Sequence, residues 1–214
     1  MRGLIGEDRE ACYRVPQAGQ QFRKHADIQA SIERHFPSLV GTNWRITSPY
    51  DDRYQCIAWA ACWVDTKWWP GGLPPQSYWP PNAPDDESVD CFVGVFQKQG
   101  YEKCADATFE IGYQKVAIYA DRDMNATHMA RQHLLGRGWL SKLGDLEDIV
   151  HASLHDIEGN TDPFAQEYGV VVQIMKRSLL VALISGGLVR STRASFRFLF
   201  HRLKHPRWCG YRIL

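Results

Sequence analysis

Lys115-Val116-Ala117-Ile118-Tyr119-Ala120 and Thr127-His128-Met129-Ala130-Arg131-Gln132 are two β-prone runs. The turn-forming link Asp121-Arg122-Asp123-Met124-Asn125 joins them, and Leu135-Gly136-Arg137-Gly138 leads on to a third run, Trp139-Leu140-Ser141-Lys142. Short runs with turn residues between them predict an antiparallel meander. Downstream, Leu146, Ile149, Val150 and Leu154 share one face at helical spacing. Asp145 to Ile157 therefore reads as a helix, with Gly159 past its end. Val170 to Ile174 is a last β-prone run.

Upstream, Ile28, Ile32 and Phe36 recur every fourth position, one stripe of a short helix stopped by Pro37. A loop rich in turn formers runs to Asp52. Cys56-Ile57-Ala58-Trp59-Ala60-Ala61-Cys62-Trp63 follows and predicts a buried helix, since it is Ala-rich and free of Gly and Pro. Asp51, Asp52 or a nearby polar residue could cap it. Residues 66–84 carry Trp68, Trp69, Trp79 and six prolines, which excludes helix and central strand. Asp85-Asp86-Glu87-Ser88 resembles an acidic first turn opening a helix that ends near Gly100. Together these predict an α+β fold in which a helix bearing Cys56 packs on an antiparallel sheet bearing His128.

Composition agrees. The chain has 214 residues, 44% of them hydrophobic and 12% aromatic, enough for a core and too apolar for a disordered protein. Six Cys are too sparse for a disulfide-stapled scaffold, and no C-x-x-C pair marks a zinc ribbon or redox motif. The net charge is +1, but nine Lys or Arg and no acid lie between Tyr168 and Leu214. Residues 1–167 then carry 16 basic and 24 acidic groups, a net of −8. The expected organisation is a flexible N-terminal arm over 1–24, a domain over 25–177 and a basic, partly apolar extension over 178–214. That extension suits an anionic partner: nucleic acid, a membrane surface or the acidic body itself. No leader or bilayer-length apolar run is visible, so a cytoplasmic location without a transmembrane segment is expected.

Nucleophilic chemistry at a thiol needs a thiolate, a base that makes it and a group that orients the base. Cys56 stands where the apolar helix starts, a position that lowers a thiol's pKa. Cys62, nearly two turns inside, reads as core. His128 on the middle strand is the base candidate, and Ser141, across one turn, is the orienting candidate. Trp139 shares Ser141's face by alternation. Gln55 and the Cys56 backbone N–H are the oxyanion candidates. Trp59, Trp68, Trp69 and Trp139 are the cleft-lining candidates. His151 and His155, four apart on the predicted helix, could share a metal. Their polar surroundings and the lack of further ligands argue for an ordinary exposed face, so neither metal nor cofactor is expected.

The strings Tyr54-Gln55-Cys56-Ile57-Ala58-Trp59-Ala60, Thr127-His128-Met129-Ala130-Arg131-Gln132 and Trp139-Leu140-Ser141-Lys142-Leu143-Gly144 resemble a family of uncharacterised bacterial domains. Its members carry Y-N-C-x-A-W-A, H-x-A-R-Q and W-x-S-K-L-G motifs, and the likeness covers roughly residues 35–177. That family is similar in element order to papain-like and NlpC/P60-like cysteine peptidases. The resemblance implies Cys56 as nucleophile, His128 as base and Ser141 in the third position, where papain has Asn. Gln55 replaces the family's Asn and keeps its amide. The implied activity is hydrolysis or acyl transfer at a peptide or other amide bond. Two alternatives stay open: a papain-like binding or regulatory module without turnover, and a nucleic-acid or membrane-surface protein acting through its basic tail.

Overall fold

The computed structural model describes residues 25–71, 77–144, 146–159 and 168–180. The expected N-terminal arm and all but the first three residues of the C-terminal extension lie outside them. Helix α1 spans His25–His35 and gives way at Pro37 to a 3-10 turn, Pro37–Leu39. Strand β1 is Arg45–Ser48, α2 is Cys56–Ala60, and β2 and β3 are the two-residue strands Lys67–Trp68 and Ser77–Tyr78. Helix α3 is Val89–Lys98, capped by the Ser88 hydroxyl, which accepts from the Cys91 N–H. The remaining strands are β4 (Glu102–Cys104), β5 (Tyr113–Ala120), β6 (Ala126–Gln132), β7 (Trp139–Lys142), β8 (Asp148–His151) and β9 (Val170–Ser178).

Seven strands form one sheet in the order β1-β8-β7-β6-β5-β9-β4. Every neighbouring pair in it is antiparallel. The meander β5-β6-β7 is its centre, as the sequence predicts. The small β2–β3 pair stands apart and is parallel.

The predicted helix over 145–157 is corrected. Asp148–His151 is a strand that pairs with β1 on one side and β7 on the other, and only Leu154–Ile157 coils, as a 3-10 turn. Its physical reason is burial on both faces. All four β8 side chains are buried, so no polar alternation marks it as a strand, and neighbouring apolar residues complete a false helical stripe. Helix α2 is shorter than predicted, ending at Ala60. Cys62 follows it at φ +68°, in the left-handed region.

Alternation along the strands sorts the core into two layers. Val116, Ile118, Met129 and Met175 face α2 and α3. Ala117, Tyr119, Ala130, Ile149 and Ile174 face α1 and the Leu154–Ile157 turn. The sheet is thus covered by helical segments on both sides, and each side also carries buried polar groups. Among the described residues no helix is long and apolar enough to cross a membrane.

Candidate functional site

On the α1 side of the sheet, three buried groups form a line. His128 Nε2 lies 3.1 Å from Ser141 Oγ, and Ser141 Oγ lies 2.9 Å from His151 Nε2. His151 Nδ1 closes the line on the Ser153 carbonyl at 2.7 Å. The sheet builds this directly. β6 and β7 pair through Ala130 and Ser141, β7 and β8 through Trp139 and His151, and each of the three side chains points to the same face. His128, Ser141 and His151 have no exposed surface. Gly138 makes room for the third strand: a Cβ there, at φ +89°, would lie 2.3 Å from the His151 carbonyl oxygen. His128 is also sandwiched. Its ring stacks on Tyr168 at 3.9 Å between centroids and meets Tyr119 edge-on at 5.3 Å. Burial holds the His128 imidazole well below its usual range, and the neighbouring His151 pushes the same way. Burial also lowers His151, against the pull of the Ser153 carbonyl and Asp156. Both rings are therefore neutral at pH 7. Among the described residues His128 Nδ1 has no hydrogen-bond partner.

Cys56 opens α2 as expected, but Gln55, rather than an aspartate, caps it. The Gln55 Oε1 accepts from the Ala58 N–H at 3.0 Å, and its Nε2 donates to the Trp68 carbonyl. With both ends of its amide engaged, Gln55 acts as a cap and brace. Cys56 is 5% exposed and packs in the cluster that contains Met129. His128, one position before Met129, turns to the opposite face. The His128–Ser141 contact is formed, whereas no hydrogen bond joins His128 to Cys56. Tyr168 connects the two neighbourhoods. It stacks on His128, and after burial the charge of Cys56 is what most raises its phenol. Burial pushes the Cys56 thiol up to about 11, outweighing the Met129 and Ile57 N–H groups and the more distant Lys142 charge.

The thiol held below its ordinary value is Cys62 instead. The Arg131 Nη1 is 2.8 Å from its sulfur, the Gln114 Nε2 3.5 Å and the Arg177 Nη2 3.6 Å. Burial pushes this thiol up, but the two guanidinium charges and the Gln114 bond more than offset it, and the thiol sits below its ordinary value. Cys62 is buried, as the sequence reading has it, but its charged partners set it apart from ordinary core. Arg131 and Arg177 reach it from β6 and β9, 69 and 115 positions away, so sequence spacing carries no trace of the arrangement. Brief alkylation with iodoacetamide at pH 7.5, read site by site by mass spectrometry, is expected to modify Cys62 before Cys56. Arg131→Met should erase the difference, and Cys56 reacting first would contradict the charge assignment.

The tryptophans divide between the two layers. Trp59 is 2% exposed, with the Arg131 guanidinium 4.2 Å over its ring. Trp68 is fully buried between Trp63 and Tyr78, and Trp69 packs edge-on against Phe92. Trp139 belongs to the opposite layer. The reading of His151 and His155 as neighbours on one exposed helix face is corrected with the helix that carried it. His151 points into the buried line, while His155 is exposed and bonded to Glu158. Among the described residues no group of three or more His, Cys, Asp or Glu could hold a metal. His151 was legible only as one of that pair, because its role depends on the strand that replaced the predicted helix.

One further polar cluster lies beside α2. Lys142 Nζ is 3.9 Å from Asp148 Oδ1, and the Tyr54 hydroxyl donates to Asp148 Oδ2 at 2.9 Å. Lys142 also donates to the Leu146 carbonyl. Burial raises the Asp148 carboxyl to about 6, against Lys142, Tyr54 and Ser48.

These features define an α+β domain built on one antiparallel sheet, with a buried Ser–His network on one face and buried cysteines on the other. Residues 45–176 match the family described as a domain of unknown function, DUF7689, and the chain belongs to that family. No curated protein and no solved structure matches it.

Proposed function

We propose that the domain is a cysteine-dependent hydrolase or acyltransferase acting on an amide bond, with Cys56 as nucleophile, His128 as base and Ser141 orienting the base. The observation that carries this reading is the His128 ring. Its Nε2 is tied to Ser141, the third position that the family resemblance assigns, and its Nδ1 is buried with no partner among the described residues. A neutral imidazole with one nitrogen held and the other open is what a general base requires. Tyr168 stacks on that ring, and after burial the Cys56 charge is the main influence on its phenol.

In this scheme a carbonyl carbon approaches Cys56. Cys56 and His128 lie on opposite faces of the sheet, so the scheme requires β6 to shift until His128 Nδ1 is within hydrogen-bond reach of the sulfur; the sulfur then forms a C–S bond as His128 Nδ1 takes the thiol proton. The Cys56 backbone N–H, kept in place by the Gln55 cap, receives the developing oxyanion. The C–N bond then breaks, His128 returns the proton to the leaving amine, and a thioester remains. Water completes hydrolysis; an acceptor amine completes transfer. Because thiol and imidazole both rest neutral, the proton moves during attack rather than beforehand.

The second reading, a binding module without turnover, is favoured by the burial of Cys56 and its thiol at about 11. A peptidyl vinyl sulfone separates the two, since its capture needs both thiol and base. Labelling of Cys56 in the parent, lost in Cys56→Ala and reduced at least a hundredfold in His128→Gln, is expected for the hydrolase. Labelling that ignores His128, or falls only on Cys62, supports the binding module.

A further inference from the structure

We propose that His151 is a positioning residue: acting through Ser141, it fixes which nitrogen of His128 carries the proton and leaves His128 Nδ1 as the open base. For its consequence in turnover this rests on the hydrolase reading; the proton pattern itself does not.

The donors along the line can be assigned one at a time. The Ser153 carbonyl can only accept, so His151 Nδ1, 2.7 Å from it, carries a hydrogen. A neutral imidazole has one N–H, so His151 Nε2 is bare and can only accept. Ser141, 2.9 Å away, must give its hydroxyl hydrogen to that nitrogen. A hydroxyl has one hydrogen to give, so toward His128 it can only accept. His128 Nε2, 3.1 Å from the same oxygen, is then the N–H, and Nδ1 holds the lone pair. Each step follows from the one before, and the chain begins at a backbone carbonyl whose chemistry has no second option.

The opposite pattern is costly at both ends. It needs His151 doubly protonated, a cation with 0% of its surface exposed. It would also put a hydrogen on His128 Nδ1, a buried atom with no acceptor in reach among the described residues. The observed pattern leaves an unpaired acceptor there instead, which is the group a base presents. Ser141 is a weak orienter taken alone, because a hydroxyl rotates freely and serves as donor or acceptor with equal ease. His151 removes that freedom. The serine in the third position thus works as a relay whose direction is set one strand further on.

The test is the tautomeric state of the two rings in the full chain, labelled with 15N-histidine and read by long-range 1H–15N correlation at pH 7. His151 is expected as the Nδ1–H form and His128 as the Nε2–H form with a bare, pyridine-type Nδ1. Ser141→Ala and His151→Phe should each turn His128 into a mixture of both forms, while Ser141→Thr keeps the single form. In Ser141→Ala, His151 should remain Nδ1–H. A purely structural role for His151 would not select a tautomer. Finding His128 as Nδ1–H or doubly protonated in the parent would overturn the proposal, even if no variant folds. So would an unchanged His128 in folded Ser141→Ala. Should the tautomers be as expected while vinyl sulfone capture ignores His128, the positioning stands and the hydrolase reading fails. The converse pair of results separates them the other way.

Discussion

Replacing Lys142 with methionine is expected to cost the fold about 3–5 kcal/mol at pH 7, the range for removing one partner of a buried ion pair. Lys142 is fully buried on β7, and Asp148 beside it on β8 is 1% exposed. Tyr54 serves one carboxylate oxygen; the other, Oδ1, has no hydrogen bond among the described residues and has the Lys142 ammonium 3.9 Å away. At an effective dielectric of about 20, that separation corresponds to about 4 kcal/mol of attraction. Without the lysine, the carboxylate must either remain as an uncompensated buried charge or take up a proton. Because burial already holds Asp148 near 6, the parent carboxyl is largely neutral at pH 5. The same substitution should therefore cost clearly less at pH 5 than at pH 7. Lys142→Met/Asp148→Asn should recover most of the loss at either pH. Urea unfolding of the four proteins at both pH values measures this. An equal loss at pH 5 and pH 7 would assign the effect to packing and not to charge.

The second large effect is acid sensitivity. His128 and His151 are held neutral, with pKa values below the ordinary 6.5. Below 6.5 the unfolded chain binds protons on both rings and the native state does not, so each contributes stability that is present above 6.5 and is lost as pH falls toward its native value. Asp148 works in the opposite direction. Its carboxyl is raised from 3.8 to about 6, so between those values the native state holds a proton that the unfolded chain lacks. Two protons favour the unfolded state and one the native state, a net difference of one. Unfolding free energy should then fall by about 1.4 kcal/mol per pH unit below pH 6. The slope eases once His151 takes its proton, since His128 is the more strongly depressed ring. Asp148→Asn removes the opposing carboxyl and should double the initial slope. Stability that is flat from pH 7 to pH 5 would mean that the two rings are not held neutral in the native state.

The resemblance and the local patterns made different parts of this molecule legible. Alternation and turn residues mark β5, β6 and β7 because those strands are joined by short links, so each declares itself within a few positions. Helix α3 announces itself through Ser88 and its acidic approach, and α1 through its four-residue stripe and Pro37. The pairing of His128 with Ser141 was accessible for the same reason, since neighbouring strands of a meander set their register through the turn between them. Strand β8 was not, because burial on both faces erases the alternation by which a strand is recognised. With it went the role of His151, which the predicted helix placed on an ordinary polar face.

By itself the sequence determined the α+β class, the antiparallel centre of the sheet, the position of Cys56 at a helix start and the neighbourhood of His128 and Ser141. Tertiary structure alone decided which buried groups share an environment. It set His151 behind Ser141, Lys142 against Asp148, and Arg131 and Arg177 around Cys62, so that the thiol lowered in pKa is the one expected to be inert. The physical reason is that hydrogen-bond direction and charge state depend on what surrounds a group in space. Local periodicity records only which face of an element is apolar; burial, and the polar partners that burial brings within about 4 Å, set the protonation of everything on that face.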